Sequence, residues 1–202
     1  SLAIGATNDG PTVLEQTSAF TTFATGGEHV SPYLIETITD KHGNVVYQHE
    51  AETTEVFSQD TAYLTLDILR DVITDGTGRS INNYLNFNAD WAGKTGTSEA
   101  NRDIWFIAST PTVTLSSWMG YDNYKGEHVF YDPNNQGLPT GRNLNYWSQI
   151  ANKIYSINPG ILGADQTHQQ PEGIVEKSVL AETGTLAGTV SFANGLSVTL
   201  NG

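Results

Sequence analysis

The stretch Ala92-Gly93-Lys94-Thr95-Gly96-Thr97-Ser98 sets a single lysine between two glycines on a run that reads as a strand. Gly93 and Gly96 remove side chains beside the backbone, so a ligand or a second chain can approach closely. Strand side chains alternate between faces, which puts the hydroxyls of Thr95 and Thr97 on one side. The Lys94 ammonium can turn toward a carboxylate or a neighbouring hydroxyl. An N–H left unpaired by such a strand can donate to an oxyanion. The pattern suits a site for a peptide that ends in a carboxylate.

Outward from this stretch, residues 91–97, 104–109 and 113–121 read as three strands. Ser98-Glu99-Ala100-Asn101 and Thr110-Pro111 supply the turns between them. That spacing predicts an antiparallel meander. Upstream, residues 58–74 read as a helix with Ser58 as N-cap and an apolar stripe of Ala62, Leu66, Leu69, Val72 and Ile73. It stops at Asp75-Gly76-Thr77-Gly78, and an Asn-rich loop fills 79–90. Further upstream, Thr12 and Glu15 are spaced as a capping box. They open a helix that carries Val13, Leu14, Ala19, Phe20, Phe23 and Ala24 and ends at Gly26-Gly27. Residues 33–39 and 45–49 then flank the turn cluster Asp40-Lys41-His42-Gly43-Asn44 as a hairpin.

Downstream, the Tyr/Asn/Gly/Pro-rich stretch 122–141 reads as loop. Residues 143–156 read as a helix with Leu144, Trp147, Ile150, Ala151 and Ile154 on one face. After Asn158-Pro159-Gly160 the composition shifts to Gln-rich and polar. Short alternating segments follow at 174–179, 186–192 and 196–200, with Asn194-Gly195 as a hairpin signal. The expectation is an α+β (α/β in composition) fold, an antiparallel sheet flanked by helices, over residues 1–158. A linker and a small β-rich appendage are expected over 159–202.

Nine Lys and Arg against 22 Asp and Glu give a formal net charge of −13. A chain this acidic is repelled by nucleic acid and by anionic headgroups, so no nucleic-acid partner is expected. There is no cysteine, which excludes a disulfide framework and a Cys-ligated metal. His29, His42, His49, His128 and His168 show no metal-ligand spacing, and neither metal nor cofactor is expected. No run reaches the length of about 20 apolar residues that a membrane helix needs. The opening Ser1-Leu2-Ala3-Ile4-Gly5 lacks a start methionine and a signal sequence, so a fragment or processed chain is expected.

Lys94-Thr95-Gly96 is one of the three motifs of the penicillin-binding proteins and serine β-lactamases. The blocks around it carry a more specific likeness. Asn101-Arg102-Asp103-Ile104-Trp105-Phe106, Trp118-Met119-Gly120-Tyr121-Asp122, Thr17-Ser18-Ala19-Phe20-Thr21-Thr22-Phe23-Ala24-Thr25-Gly26-Gly27, Ser31-Pro32-Tyr33 and Asp71-Val72-Ile73-Thr74-Asp75-Gly76-Thr77-Gly78-Arg79 together resemble the bifunctional (class A) penicillin-binding proteins. The resemblance covers roughly residues 1–157. It implies a penicillin-binding/serine β-lactamase-like fold and a D,D-transpeptidase. In that chemistry a serine attacks a stem-peptide D-Ala-D-Ala, and an amine then resolves the acyl-enzyme into a cross-link. β-Lactams acylate the same serine.

Carried onto this chain, the resemblance makes Lys94 and Thr97 catalytic, Thr97 through an oxyanion N–H. It makes Thr95, Gly96, Thr97 and Ser98 substrate-binding. Gly76-Thr77-Gly78 reads first as a helix stop, and the resemblance makes this turn a candidate cleft rim. Asp103, Trp105 and Phe106 read as packing and turn residues, and Trp118 as core. A glycosyltransferase domain, a membrane anchor outside this stretch and a place on the extracytoplasmic face of a bacterial membrane are also implied.

One departure stands out. The nucleophile motif S-x-x-K needs a serine three residues before a lysine. Ile38, Trp91, Asp122, Ile150 and Ile174 occupy those positions before lysines 41, 94, 125, 153 and 177. Ser80-Ile81-Asn82 and Ser156-Ile157-Asn158 match S-x-N only in form, because in the family that motif lies much further before the lysine strand. The expected partners are therefore an upstream fragment carrying S-x-x-K and S-x-N, peptidoglycan stem peptides and β-lactam antibiotics, and the chain alone is expected to be inert. Rival readings are a non-catalytic β-lactam sensor, a serine β-lactamase relative, and a wall-binding module built on the β-rich tail.

Overall fold

The computed structural model of the chain describes residues 10–121, 139–180, 183–191 and 197–200. The chain divides into two compact units, Ser1–Gln169 and Gln170–Gly202.

In the first unit the core is a three-stranded antiparallel sheet. Strands β5 (Ala92–Thr97), β6 (Asp103–Ser109) and β7 (Thr114–Gly120) run in that order. β6 lies between the other two and is the most buried, which suits its run Ile104-Trp105-Phe106-Ile107-Ala108. Residues paired across an antiparallel ladder share a face. Thr95, Phe106 and Ser117 therefore face one way, and Lys94, Ile107 and Ser116 the other.

Helices cover both faces. α1 (Val13–Ala24) lies on the Ser116 face, where the Thr17 hydroxyl meets that of Ser116. Its entry is the expected capping box: the Glu15 N–H donates to Thr12 Oγ1 at 3.2 Å, and the Thr12 N–H donates to Glu15 Oε2 at 2.8 Å. The expected apolar face is not all inside, since Val13 and Leu14 are exposed while Thr22 is buried. α2 (Gln59–Thr74) packs along β5 and against α1, and its Ala62 and Leu66 are buried. Ser58 caps it, accepting from the Thr61 N–H at 3.3 Å.

α3 (Pro139–Ile157) covers the Phe106 face. It starts inside the expected loop 122–141, because a proline at the first helical position loses no intrahelical bond and already has helical φ. Residues 122–138 of that loop lie outside the described residues. Trp147 on α3 is fully buried. It stands edge-on to Trp91 and Phe106, with both pairs of ring centroids at 4.9 Å, and its indole N–H donates to Leu115 O at 2.9 Å. Ile73, Ile81, Phe87, Ala108, Leu144, Ala151 and Leu162 complete this core.

Short elements escaped the sequence reading. β1 (Glu28–Val30) pairs with β4 (Thr53–Glu55), and three-residue strands carry no readable period. The expected hairpin forms between β2 (Thr37–Thr39) and β3 (Val45–Gln48), around Asp40, whose carboxylate accepts from the N–H groups of His42 and Asn44. The Asn44 side-chain amide also donates to it at 2.8 Å, and this bond first, with the two backbone bonds, holds its pKa below the usual value. Residues 79–83, read as loop, form a 3-10 turn, Arg79–Asn83.

The packing of the first unit continues past residue 158. Leu162, on the 3-10 turn Pro159–Leu162, is fully buried in the first unit's core. Thr112 Oγ1 donates to Ile161 O at 2.8 Å. Gly163 follows in the left-handed region at φ 52°, where a Cβ would come within 2.6 Å of Thr112 Oγ1. The division falls after Gln169.

In the second unit β8 (Gly188–Ser191) pairs with β9 (Ser197–Leu200). Of the segment expected as a strand at 174–179, only Val179 bridges, to Leu186. Asn194-Gly195 lies outside the described residues.

Candidate active site

The lysine–glycine stretch forms β5, and β6 is its one ladder neighbour among the described residues. The direction of its free backbone groups follows from its last turn. The Ser98 N–H donates inward to Asp103 O at 3.0 Å. Successive residues of a strand point their N–H groups to opposite sides. The N–H groups of Thr97 and Thr95 therefore point away from β6, at an open edge.

The side chains along this edge take three different environments. Lys94 is exposed, and its ammonium donates to Thr95 O at 2.7 Å rather than to a carboxylate or hydroxyl. Thr95 and Thr97 share a face, as alternation requires, but not an environment. Thr95 is buried, and its hydroxyl lies 2.6 Å from that of Thr77. Thr97 is exposed. Gly96 is half-buried beside the Trp105 side chain.

Ser98 is committed to the turn. Its hydroxyl accepts from the Asp103 N–H at 2.8 Å and donates to Asp103 Oδ2 at 3.1 Å. Asp103 Oδ1 accepts from the Trp118 indole N–H at 3.1 Å, so this one carboxylate ties the end of β5 to β7 across β6. Asn101 closes the turn at φ 53°, a conformation Asn tolerates.

Gly76, Thr77 and Gly78 form the link between α2 and the Arg79–Asn83 turn, and Thr77 brings that link onto β5. Thr140, at the start of α3, was not singled out in the sequence. Its hydroxyl lies 3.1 Å from that of Thr97, a contact between residues 43 apart that no local pattern announces. The structure thus gathers Lys94, Thr95 and Thr97 with Thr77 and Thr140, and it sets Ser98 apart as a turn residue.

A second polar cluster lies within the same unit. Arg70 donates two bonds to the Asp90 carboxylate, at 2.9 and 2.7 Å, and its guanidinium lies 5.6 Å from the Tyr63 ring centre. The His168 N–H donates to Asp90 Oδ2 at 2.8 Å. Burial pushes the Asp90 carboxyl up, but the Arg70 bonds, the His168 N–H and the Arg70 charge outweigh it and hold its pKa below the ordinary range. Burial holds the His168 pKa down, and Arg70 adds to this against the pull of Asp90. The cluster fastens His168 to the end of the loop before β5.

Comparison with known proteins bears on the family and the fold. The family described as the penicillin binding protein transpeptidase domain matches residues 1–156. Penicillin-binding protein 1F of Bacillus subtilis is 35% identical over 134 residues, which cover 63% of this chain and 18% of that protein. Penicillin-binding protein 1A of Clostridium novyi is 26% identical over 192 residues, 95% of this chain and 20% of that protein. The chain thus spans about a fifth of these relatives. The crystal structure of penicillin-binding protein 1A from Haemophilus influenzae superposes with a TM-score of 0.73 at 22% identity, over 99% of this chain and 33% of that one. An imipenem acyl-enzyme of penicillin-binding protein A from M. tuberculosis superposes with a TM-score of 0.56 at 18% identity, over 75% of this chain and 33% of that one. A glycine-bared lysine strand at the open edge of a helix-covered antiparallel sheet, together with a family match over most of the chain, places this protein in the family of the penicillin binding protein transpeptidase domain.

Proposed function

We propose that this chain supplies the lysine-strand wall of a serine D,D-transpeptidase that cross-links peptidoglycan stem peptides and is acylated by β-lactams. The observation that carries the reading is the open edge of β5, where Lys94 and Thr97 are exposed and alternation turns the Thr97 N–H outward.

In this reading a donor stem peptide lies along β5. A serine from an S-x-x-K segment outside this sequence attacks the penultimate D-Ala carbonyl. Negative charge develops on the carbonyl oxygen, and the Thr97 N–H is placed to donate to it. The Thr97 hydroxyl binds the terminal carboxylate. The Lys94 ammonium supplies the positive charge of the cleft and leaves the Thr95 carbonyl to meet its partner from the opposite wall. Gly96 keeps the edge low enough for the peptide to reach it. The Thr95 hydroxyl, held by Thr77, fixes the strand rather than touching substrate, and Ser98 acts through the turn. Terminal D-Ala leaves, and an amine of a second stem peptide takes the acyl group from the serine.

The partner polypeptide carries S-x-x-K and S-x-N, and without it the chain is inert. The whole protein carries a glycosyltransferase domain and a membrane anchor and works at the extracytoplasmic face. Residues 170–202 are an appendage to the transpeptidase part. The acyl-enzyme of the M. tuberculosis relative supports the β-lactam part of the reading.

The test uses a labelled penicillin on the full-length protein and on this chain alone. Label on the full-length protein only, with acyl transfer to an added amine, is the expected result. Label on the isolated chain overturns the reading, and a full-length acyl-enzyme that never transfers favours a sensor.

A further inference from the structure

We propose that Thr140 is a specificity-determining residue: its hydroxyl and that of Thr97 together bind the carboxylate at the end of the acyl donor. The inference rests on the reading of β5 as the donor-binding edge and adds a second element, the start of α3, to that site.

The two hydroxyl oxygens are 3.1 Å apart, one on the last residue of β5 and one on the second residue of α3. Thr97 is exposed and Thr140 half-buried, so both open to the same solvent-facing edge. In the free protein one hydroxyl donates to the other. A carboxylate carries two oxygens with about four acceptor sites, and a hydroxyl has one proton to give. A carboxylate arriving at this pair can take one proton from each threonine, exchanging a neutral bond for two charge-assisted ones.

The placement of Thr140 is fixed from behind. Asn143, one helical turn further along α3, is fully buried. Its amide donates to Ile104 O at 3.3 Å and to Ser117 O at 3.4 Å. Ile104 is the residue paired with Thr97 across the ladder. The helix start is therefore anchored to the strand position that backs Thr97, and the spacing of the two hydroxyls is set by the fold rather than by a surface loop. Leu144 and Trp147, buried in the same core, hold the next turn.

The experiment uses the full-length protein and two probes, benzylpenicillin and its methyl ester, which lacks the free carboxylate. The readout is the ratio of their second-order acylation rates. Thr140→Val, which keeps the side-chain shape and removes the hydroxyl, should lower the acid rate by about tenfold and leave the ester rate within about twofold. Thr140→Ser should restore most of the acid preference. Three outcomes overturn the proposal. An unchanged acid rate in Thr140→Val, with loss in Thr97→Val, removes Thr140 alone. An equal loss on acid and ester makes the residue structural. An unchanged acid rate in both variants removes the reading of β5 itself.

Discussion

The hydroxyls of Thr77 and Thr95 lie 2.6 Å apart and join the turn after α2 to the middle of β5. Thr95 is buried and Lys94 beside it is exposed, so one bond fixes the inner side of a strand whose outer side is open. The site is thereby braced by the helix link that precedes it in sequence.

Thr77→Val removes that brace and leaves the buried Thr95 hydroxyl without its partner. The expected cost is about 1 kcal/mol, read as a shift of the urea midpoint of the full-length protein, with a fall in the rate of penicillin acylation. Thr77→Ser should keep both near the parent values. A valine variant that matches the parent in midpoint and rate would show that the bond does not support the site.

Asp103→Ala should be the most damaging change in the turn after β5. It takes away the acceptor for the Ser98 hydroxyl and for the Trp118 indole together. A loss of roughly 1–3 kcal/mol is expected, with a change in tryptophan emission. Asp103→Asn keeps one acceptor oxygen and should lose less. Equal losses in the two variants would contradict the bridging role.

Gly93 and Gly96 should respond differently to alanine. A Cβ on Gly93 would stand 2.7 Å from Ile107 O and 2.8 Å from the Ala108 Cβ, inside the β5–β6 ladder. Gly93→Ala should destabilise by about 1–3 kcal/mol. A Cβ on Gly96 meets only the Trp105 side chain, at 3.2 Å. Gly96→Ala should fold with nearly parental stability yet acylate more slowly, because the added methyl stands at the peptide-binding edge. Thermal melts and penicillin labelling separate the two.

Acid should weaken the first unit in two stages. The folded pKa of His168 is depressed, so protonation favours the unfolded chain and stability falls as pH drops below about 6.5. The folded pKa of Asp90 is also depressed. Its contribution is fully present above about 3.9, the ordinary aspartate value, and fades as pH falls through the lower folded pKa. His168→Gln should remove the upper stage and Asp90→Asn the lower one. Denaturation midpoints of the full-length protein between pH 3 and 8 give the test, and an unaltered profile in both variants would refute the assignment.

Much of the fold was legible because its signals are local. The Thr12–Glu15 box and the Ser58 cap each join residues three apart, and the meander of β5, β6 and β7 follows from short turns between apolar runs. The start of α3 was misplaced because a Gly/Pro-rich flank reads as loop until packing shows the proline as a helix opener. Composition and packing part company near the end of the first unit: the composition shifts at 159, while the buried side chains continue through Leu162.

The order of residues alone sets the chemistry at β5: a lysine, two glycines and two threonines on one strand, with alternation assigning their faces. It also determined that no serine stands three residues before any lysine. Packing in three dimensions sets which partner each hydroxyl meets. Thr95 is held by Thr77, Ser98 by Asp103, and Thr97 is met by Thr140 from 43 residues away. A hydroxyl carries no mark of its partner in sequence. Its partner is whatever the packing of helices on the sheet brings within about 3 Å.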